Sequence, residues 1–176
     1  MRGTWIFGYG SLIWRPDMLY RRSAKVRTTG WARRFWQGSH DHRGVPGAPG
    51  RVVTLVPSVT DWCEGIAYGI DDEYADEVFE QLDFREKNGY AQHWVDMTFP
   101  NGRSEKGLVY IATQDNEAFL GPAPTNVIAR QIADSIGPSG TNIDYLFELA
   151  KALRQLDIFD EHIFDLEKAV KRLATT

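Results

Sequence analysis

Trp5-Ile6-Phe7-Gly8-Tyr9-Gly10-Ser11-Leu12 begins as a strand and ends as a turn. The aromatic and β-branched run from Trp5 to Tyr9 favours extended backbone, and Gly10-Ser11 stops it. Two glycines two apart let the chain turn sharply and approach a ligand with no Cβ in the way. Successive N–H groups in such a turn form a concave donor surface for an anion or a carbonyl oxygen. The plainer alternative is a tight turn and nothing more. A dinucleotide fingerprint is excluded, because Ile13 stands where its third glycine belongs. A nucleophilic-serine elbow is excluded too, since Tyr9 and Ile13 flank Ser11 where that elbow has glycines.

Arg51–Val56 reads as a second strand bounded by Gly50 and Pro57, and Glu64–Ile70 as a third. Gln92–Phe99 and Gly107–Ala112 follow, with Pro100-Asn101-Gly102 as a hairpin turn, because Asn-Gly tolerates positive φ. One helix interrupts them. From Asp72 to Asp83 the apolar residues Tyr74, Val78, Phe79 and Leu82 recur at spacings of four and three, and Asp71, Asp72 and Glu73 suit its N-terminus. It should end near Asp83-Phe84 and deliver Arg85–Tyr90 as a loop.

After Pro124 the pattern is helical. Val127 to Ile136 forms one amphipathic segment, stopped by Gly137-Pro138. Thr141 or Asn142 can cap a second, whose face carries Tyr145, Leu146, Leu149, Ala150, Leu153 and Leu156. A third, from Asp160, carries Ile163, Phe164, Leu166, Val170 and Leu173. Strands first and a helical C-terminal third, without βα alternation, indicate an α+β fold. No repeat or linker divides the chain, so a single domain over 1–176 is expected.

The 176 residues are 43% hydrophobic and 12% aromatic, enough for a packed core. Lys plus Arg is 20 against 24 Asp plus Glu, a net −4. That balance argues against a nucleic-acid partner, which needs a net basic face. No apolar run reaches the ~18 residues of a membrane span. The single cysteine, Cys63, forms no internal disulfide and suits a reducing compartment, and Gly8 interrupts any leader-like run, so a cytoplasmic location is expected.

Three more places carry candidate chemistry. Arg85-Glu86-Lys87-Asn88-Gly89-Tyr90 holds one acid between two bases. It reads either as a solvated charge cluster or as a lone general acid/base. The latter needs partial burial of the carboxyl, for which Phe84 and Tyr90 are at hand. Arg33–Gly47 mixes aromatic and basic residues, yet the acidic total speaks against stacking on single strands. His40, Asp41 and His42 lack a third metal ligand at a familiar spacing, so no metal is expected. This segment reads as a hydrogen-bonded loop, with Arg34, Arg43 or Arg51 available to an anionic substrate. Cys63, beside Trp62, reads as a packed residue rather than a nucleophile.

Taken together, the motifs resemble one family. Trp5–Trp14 is similar to the opening signature of the ChaC family of γ-glutamylcyclotransferases. The likeness continues through Arg33–Ser39, Asp41–Gly47, Pro49–Leu55, Leu82–Tyr90, Leu120–Pro124 and Gly137–Gly140 with Asn142, Tyr145 and Leu146, in family order. The resemblance implies a small mixed β-barrel flanked by helices, and an activity that splits glutathione into 5-oxoproline and cysteinylglycine without a cofactor. It implies Glu86 as the catalytic acid/base and Ile6, Phe7, Gly8, Tyr9, Gly10, Ser11 and Leu12 as the stretch that binds the γ-glutamyl group. Asn88 departs from a frequent family glycine, with no catalytic consequence expected. Arg51, Tyr110 and Tyr145 lie in family-like segments and offer donors to the same pocket.

Rival readings are a non-catalytic binder of γ-glutamyl compounds, which would have no need of Glu86, and a cyclotransferase for another γ-glutamyl amide. The sequence does not set an oligomeric state.

Overall fold

The computed structural model describes residues 3–176. Among the described residues seven strands and four α-helices are formed: β1 (Thr4–Gly8), β2 (Arg22–Ser39), β3 (Gly50–Ile70), α1 (Ala75–Arg85), β4 (Tyr90–Thr98), β5 (Ser104–Ala112), α2 (Thr125–Asp134), β6 (Ile136–Gly137), β7 (Gly140–Thr141), α3 (Asn142–Gln155) and α4 (Glu161–Ala174). Five strands close a barrel in the order β1-β3-β2-β4-β5. The barrel is mixed, because β1 runs antiparallel to β3 but parallel to β5, with Ile6 opposite Leu108. The α+β class and the barrel are as expected.

The chain divides into two compact units, one of residues up to Ala32 with Leu55–Thr113, the other of Arg33–Thr54 with Gln114–Thr176. In the first, α1 lays Val78 and Leu82 on a buried cluster that includes Ile6, Leu12, Tyr68, Ile70, Leu108 and Tyr110. The β4–β5 hairpin turns at Gly102, whose φ of +81° needs a residue without Cβ. In the second, α2, α3 and α4 pack on one another through Ile128, Ile132, Leu146, Leu149, Leu153, Ile163 and Leu166, all buried. Thr141 caps α3 by accepting from Asp144 N–H at 3.1 Å, and Asp160 caps α4 by accepting from Ile163 N–H at 3.2 Å.

Two expectations are corrected. The segments at Arg51–Val56 and Glu64–Ile70 are halves of one strand, β3, which runs through Pro57. Pro57 is exposed, and a proline is tolerated in a strand where its missing N–H is not asked for. Arg33–Ser39 is not loop but the second half of β2, whose first half alternates only over Val26 to Thr29. Gly30, within β2, has a φ of +88°, and the buried positions change phase at Ala32-Arg33.

Candidate active site

The glycine turn is built by main chain. Ile6, Phe7 and Leu12 send their side chains into the core, so what they and Gly8 to Ser11 offer a ligand is largely backbone. Ser11–Ile13 closes a single 3-10 turn, with Ile13 N–H on Gly10 O at 2.9 Å and Arg15 N–H on Ser11 O at 2.8 Å. Neither bond uses the Ser11 or Leu12 N–H. Gly8 is closely packed: a Cβ there would stand 3.0 Å from Leu12 Cβ and 3.2 Å from Tyr68 Cε2.

Three side chains hold the turn. Tyr68 OH donates to Leu12 O at 2.6 Å, and Tyr9 OH donates to Tyr110 O at 2.7 Å. Arg85 Nη2 donates to Ser11 Oγ at 2.8 Å. Ser11 therefore meets a guanidinium rather than a base, which suits orientation and not nucleophilic attack. Burial, with Tyr20 adding to it and Arg85 opposing, pushes the Tyr68 phenol up to about 12, so it stays a donor.

Glu86 caps α1, its N–H donating to Leu82 O at 2.8 Å. Its side chain is 17% exposed and lies 3.7 Å from Arg85 Nε. Phe84 does not provide that cover: it is 73% exposed, with Lys87 Nζ 4.4 Å above its ring. The reason is helical phase. Val78 and Leu82 take the buried face, and a residue two past Leu82 points away from it. Tyr90 packs against the barrel cluster instead.

Tyr110, on β5, shares this neighbourhood. Its hydroxyl donates to Asp83 Oδ1 at 2.6 Å and accepts from Gln92 Nε2 at 3.0 Å. Burial first, then the bond to Asp83 and the charges of Asp83 and Glu86, hold the phenol well above its usual range, against the opposing Gln92 bond.

Arg51 and Tyr145 belong to the second unit, where their polar groups serve the scaffold. Arg51 Nε donates to Gln131 Oε1 at 2.7 Å, and its Nη1 to Phe35 O and Gly121 O, both at 3.0 Å. Tyr145 OH accepts from Val53 N–H at 3.3 Å while its ring meets Phe35 edge-on. Cys63 is a buried free thiol. His42 Nδ1 pairs with Ser139 Oγ at 2.9 Å. Among the described residues no group of three His, Cys, Asp or Glu could hold a metal ion, and no helix is long and apolar enough to cross a membrane.

The family model described as ChaC-like protein matches residues 4–173. The chain belongs to the ChaC-like family. This ChaC-like chain is 45% identical over 175 residues to the glutathione-specific γ-glutamylcyclotransferase 1 of Danio rerio, covering 94% of this chain and 88% of that protein. It is 41% identical over 187 residues to the glutathione-specific γ-glutamylcyclotransferase of Schizosaccharomyces pombe, covering 96% and 92%. It resembles a crystal structure of a yeast γ-glutamyl cyclotransferase specific to glutathione with a TM-score of 0.91 at 36% identity, covering 98% of this chain and 97% of that one.

Sequence reasoning missed three residues that tie this neighbourhood together. Tyr68, Asp83 and Gln92 sat inside segments already singled out, but nothing in their spacing marks them. Their roles come from partners that the barrel brings to them.

Proposed function

We propose that residues 1–176 act as one γ-glutamylcyclotransferase domain that converts glutathione into 5-oxoproline and cysteinylglycine in the cytoplasm. The observation that carries this reading is near-full-length similarity to cyclotransferases named for glutathione, together with a largely covered Glu86 beside the glycine turn's Arg85 strap.

The chemistry is an internal displacement. The substrate's α-amino nitrogen attacks its own δ-carbonyl carbon. A C–N bond closes the five-membered ring, and the amide C–N bond to the cysteinyl nitrogen breaks. One proton leaves the attacking amine and one reaches the leaving amine, so a single carboxylate serves both steps and ends as it began. Glu86 fills that role. Nucleophile and electrophile are in one molecule and no electrons change hands, so the protein's task is to hold a folded, near-attack conformer. The Ser11 and Leu12 N–H groups suit the glutamyl α-carboxylate or the developing oxyanion.

The test is Glu86→Gln, with glutathione as substrate and γ-glutamyl-alanine as comparison, reading 5-oxoproline. The variant should keep its fold and lose about 10²–10⁴-fold in kcat. Near-normal turnover would remove Glu86 from the mechanism. Preference for γ-glutamyl-alanine would move the reading to another γ-glutamyl amide.

A further inference from the structure

Asp83 stands three residues before Glu86 and takes no part in the steps above. Its Oδ1 accepts two hydrogen bonds, from Tyr110 OH at 2.6 Å and from Gln92 Nε2 at 2.7 Å. The same amide donates to Tyr110 OH at 3.0 Å, which closes a ring of three groups on one carboxylate oxygen. Gln92 and Tyr110 are direct cross-strand partners on β4 and β5. The ring therefore ties the last turn of α1 to a single rung of the β4–β5 hairpin. Glu86 caps that turn through its N–H, so whatever fixes the turn fixes the backbone that carries the carboxylate.

Magnitudes decide what the ring is for. Asp83 and Gln92 are exposed, which limits their contact to about 0–1 kcal/mol, and the buried Tyr110 hydroxyl keeps Gln92 as a partner when Asp83 is removed. A displacement of about 1 Å at a reacting group, by contrast, can cost about 10²-fold in rate. The ring matters little to the fold and much to geometry. It also commits the Tyr110 hydroxyl proton to Asp83, so Tyr110 acts through the helix end rather than as a donor to substrate.

The geometry points to Asp83 as a positioning residue: with Tyr110 and Gln92 it holds the end of α1 at one height on the β4–β5 hairpin and so sets where the Glu86 carboxylate meets the substrate's attacking nitrogen. This rests on the cyclotransferase reading.

The experiment compares wild type, Asp83→Ala, Asp83→Asn and Glu86→Gln. Each is assayed for kcat and KM with glutathione, thermal stability, and amide hydrogen exchange over residues 84–88 without substrate. Asp83→Ala should lower kcat by about tenfold or more with KM changed less than about twofold. Its melting temperature should stay within about 4 °C of wild type, while exchange at Arg85 to Lys87 speeds up. Asparagine keeps an acceptor oxygen, so Asp83→Asn should recover the larger part of both rate and protection.

The inference is overturned if Asp83→Ala keeps kcat, if Asp83→Asn is as impaired as alanine, or if exchange over 84–88 is unchanged. A loss of rate that only tracks a loss of melting temperature overturns it as well. If wild type itself releases no 5-oxoproline from glutathione, the functional reading fails. The exchange arm then decides by itself whether Asp83 fixes the helix end.

Discussion

Arg85 Nη2 donates a hydrogen bond to Ser11 Oγ at 2.8 Å across 74 residues of sequence, and its Nη1 donates to Arg15 O at 2.8 Å and Pro16 O at 3.3 Å. One guanidinium thus joins the segment that carries Glu86 to the turn that offers N–H groups. A lysine has one point charge and cannot make this fork. Arg85→Lys should therefore lower kcat/KM by about 10–100-fold while the protein stays folded. Steady-state kinetics with glutathione check this, and wild-type values would show that the strap is dispensable.

The turn also depends on a close approach from β3. A Cβ on Gly65 would stand 2.3 Å from Gly8 O, a main-chain atom that cannot move without moving the turn. Gly65→Ala should cost about 1–3 kcal/mol in urea unfolding and lower kcat/KM. Gly102→Ala is the control. Nothing lies within 4 Å of that position, and its φ is +81°, so only the backbone cost of about 1–2 kcal/mol applies. Its kcat/KM should match wild type.

Arg51 gives a prediction that separates scaffold from ligand contact. Its loss would leave Gln131 Oε1, Phe35 O and Gly121 O without their donor. Arg51→Ala should destabilise the protein by about 2–5 kcal/mol, read as a lower urea midpoint. A variant with native stability and a raised KM would instead make Arg51 a substrate residue.

His162 makes stability depend on pH. Phe35 N–H donates to its Nε2 at 3.0 Å, so the partly buried ring is held neutral. Burial first, then Arg34 and Arg33, against Asp160 and Asp165, push it down to about 4 from an ordinary 6.5. The unfolded chain takes a proton on this ring near 6.5 and the folded one only near 4. The stabilisation is therefore full above about pH 6.5 and lost as pH falls toward 4, about 3 kcal/mol in all. Urea midpoints at pH 7.5, 5.5 and 4.5 should fall more steeply for wild type than for His162→Gln. Parallel curves would refute the assignment.

Three C-terminal helices, a cap at Thr141 or Asn142, the Gly102 turn and the family were legible in the sequence, because each is written in neighbours a few residues apart; Ile136, read as part of the first of these helices, lies beyond its end in β6 and is exposed. Helix periodicity, capping and turn chemistry are local, and the family blocks are strings. The same local logic went astray at Phe84, where an aromatic beside Glu86 suggested cover that helical phase denies it. It also failed at Pro57 and at Arg33–Ser39, where pairing with other strands overrides what the segment prefers alone. What holds the glycine turn was decided by tertiary contacts alone. Ser11 meets Arg85, Leu12 meets Tyr68, and Asp83 meets Tyr110, a partner 27 residues away. No periodicity encodes such contacts. They exist because closing the barrel brings β1, β3, β5 and the end of α1 together.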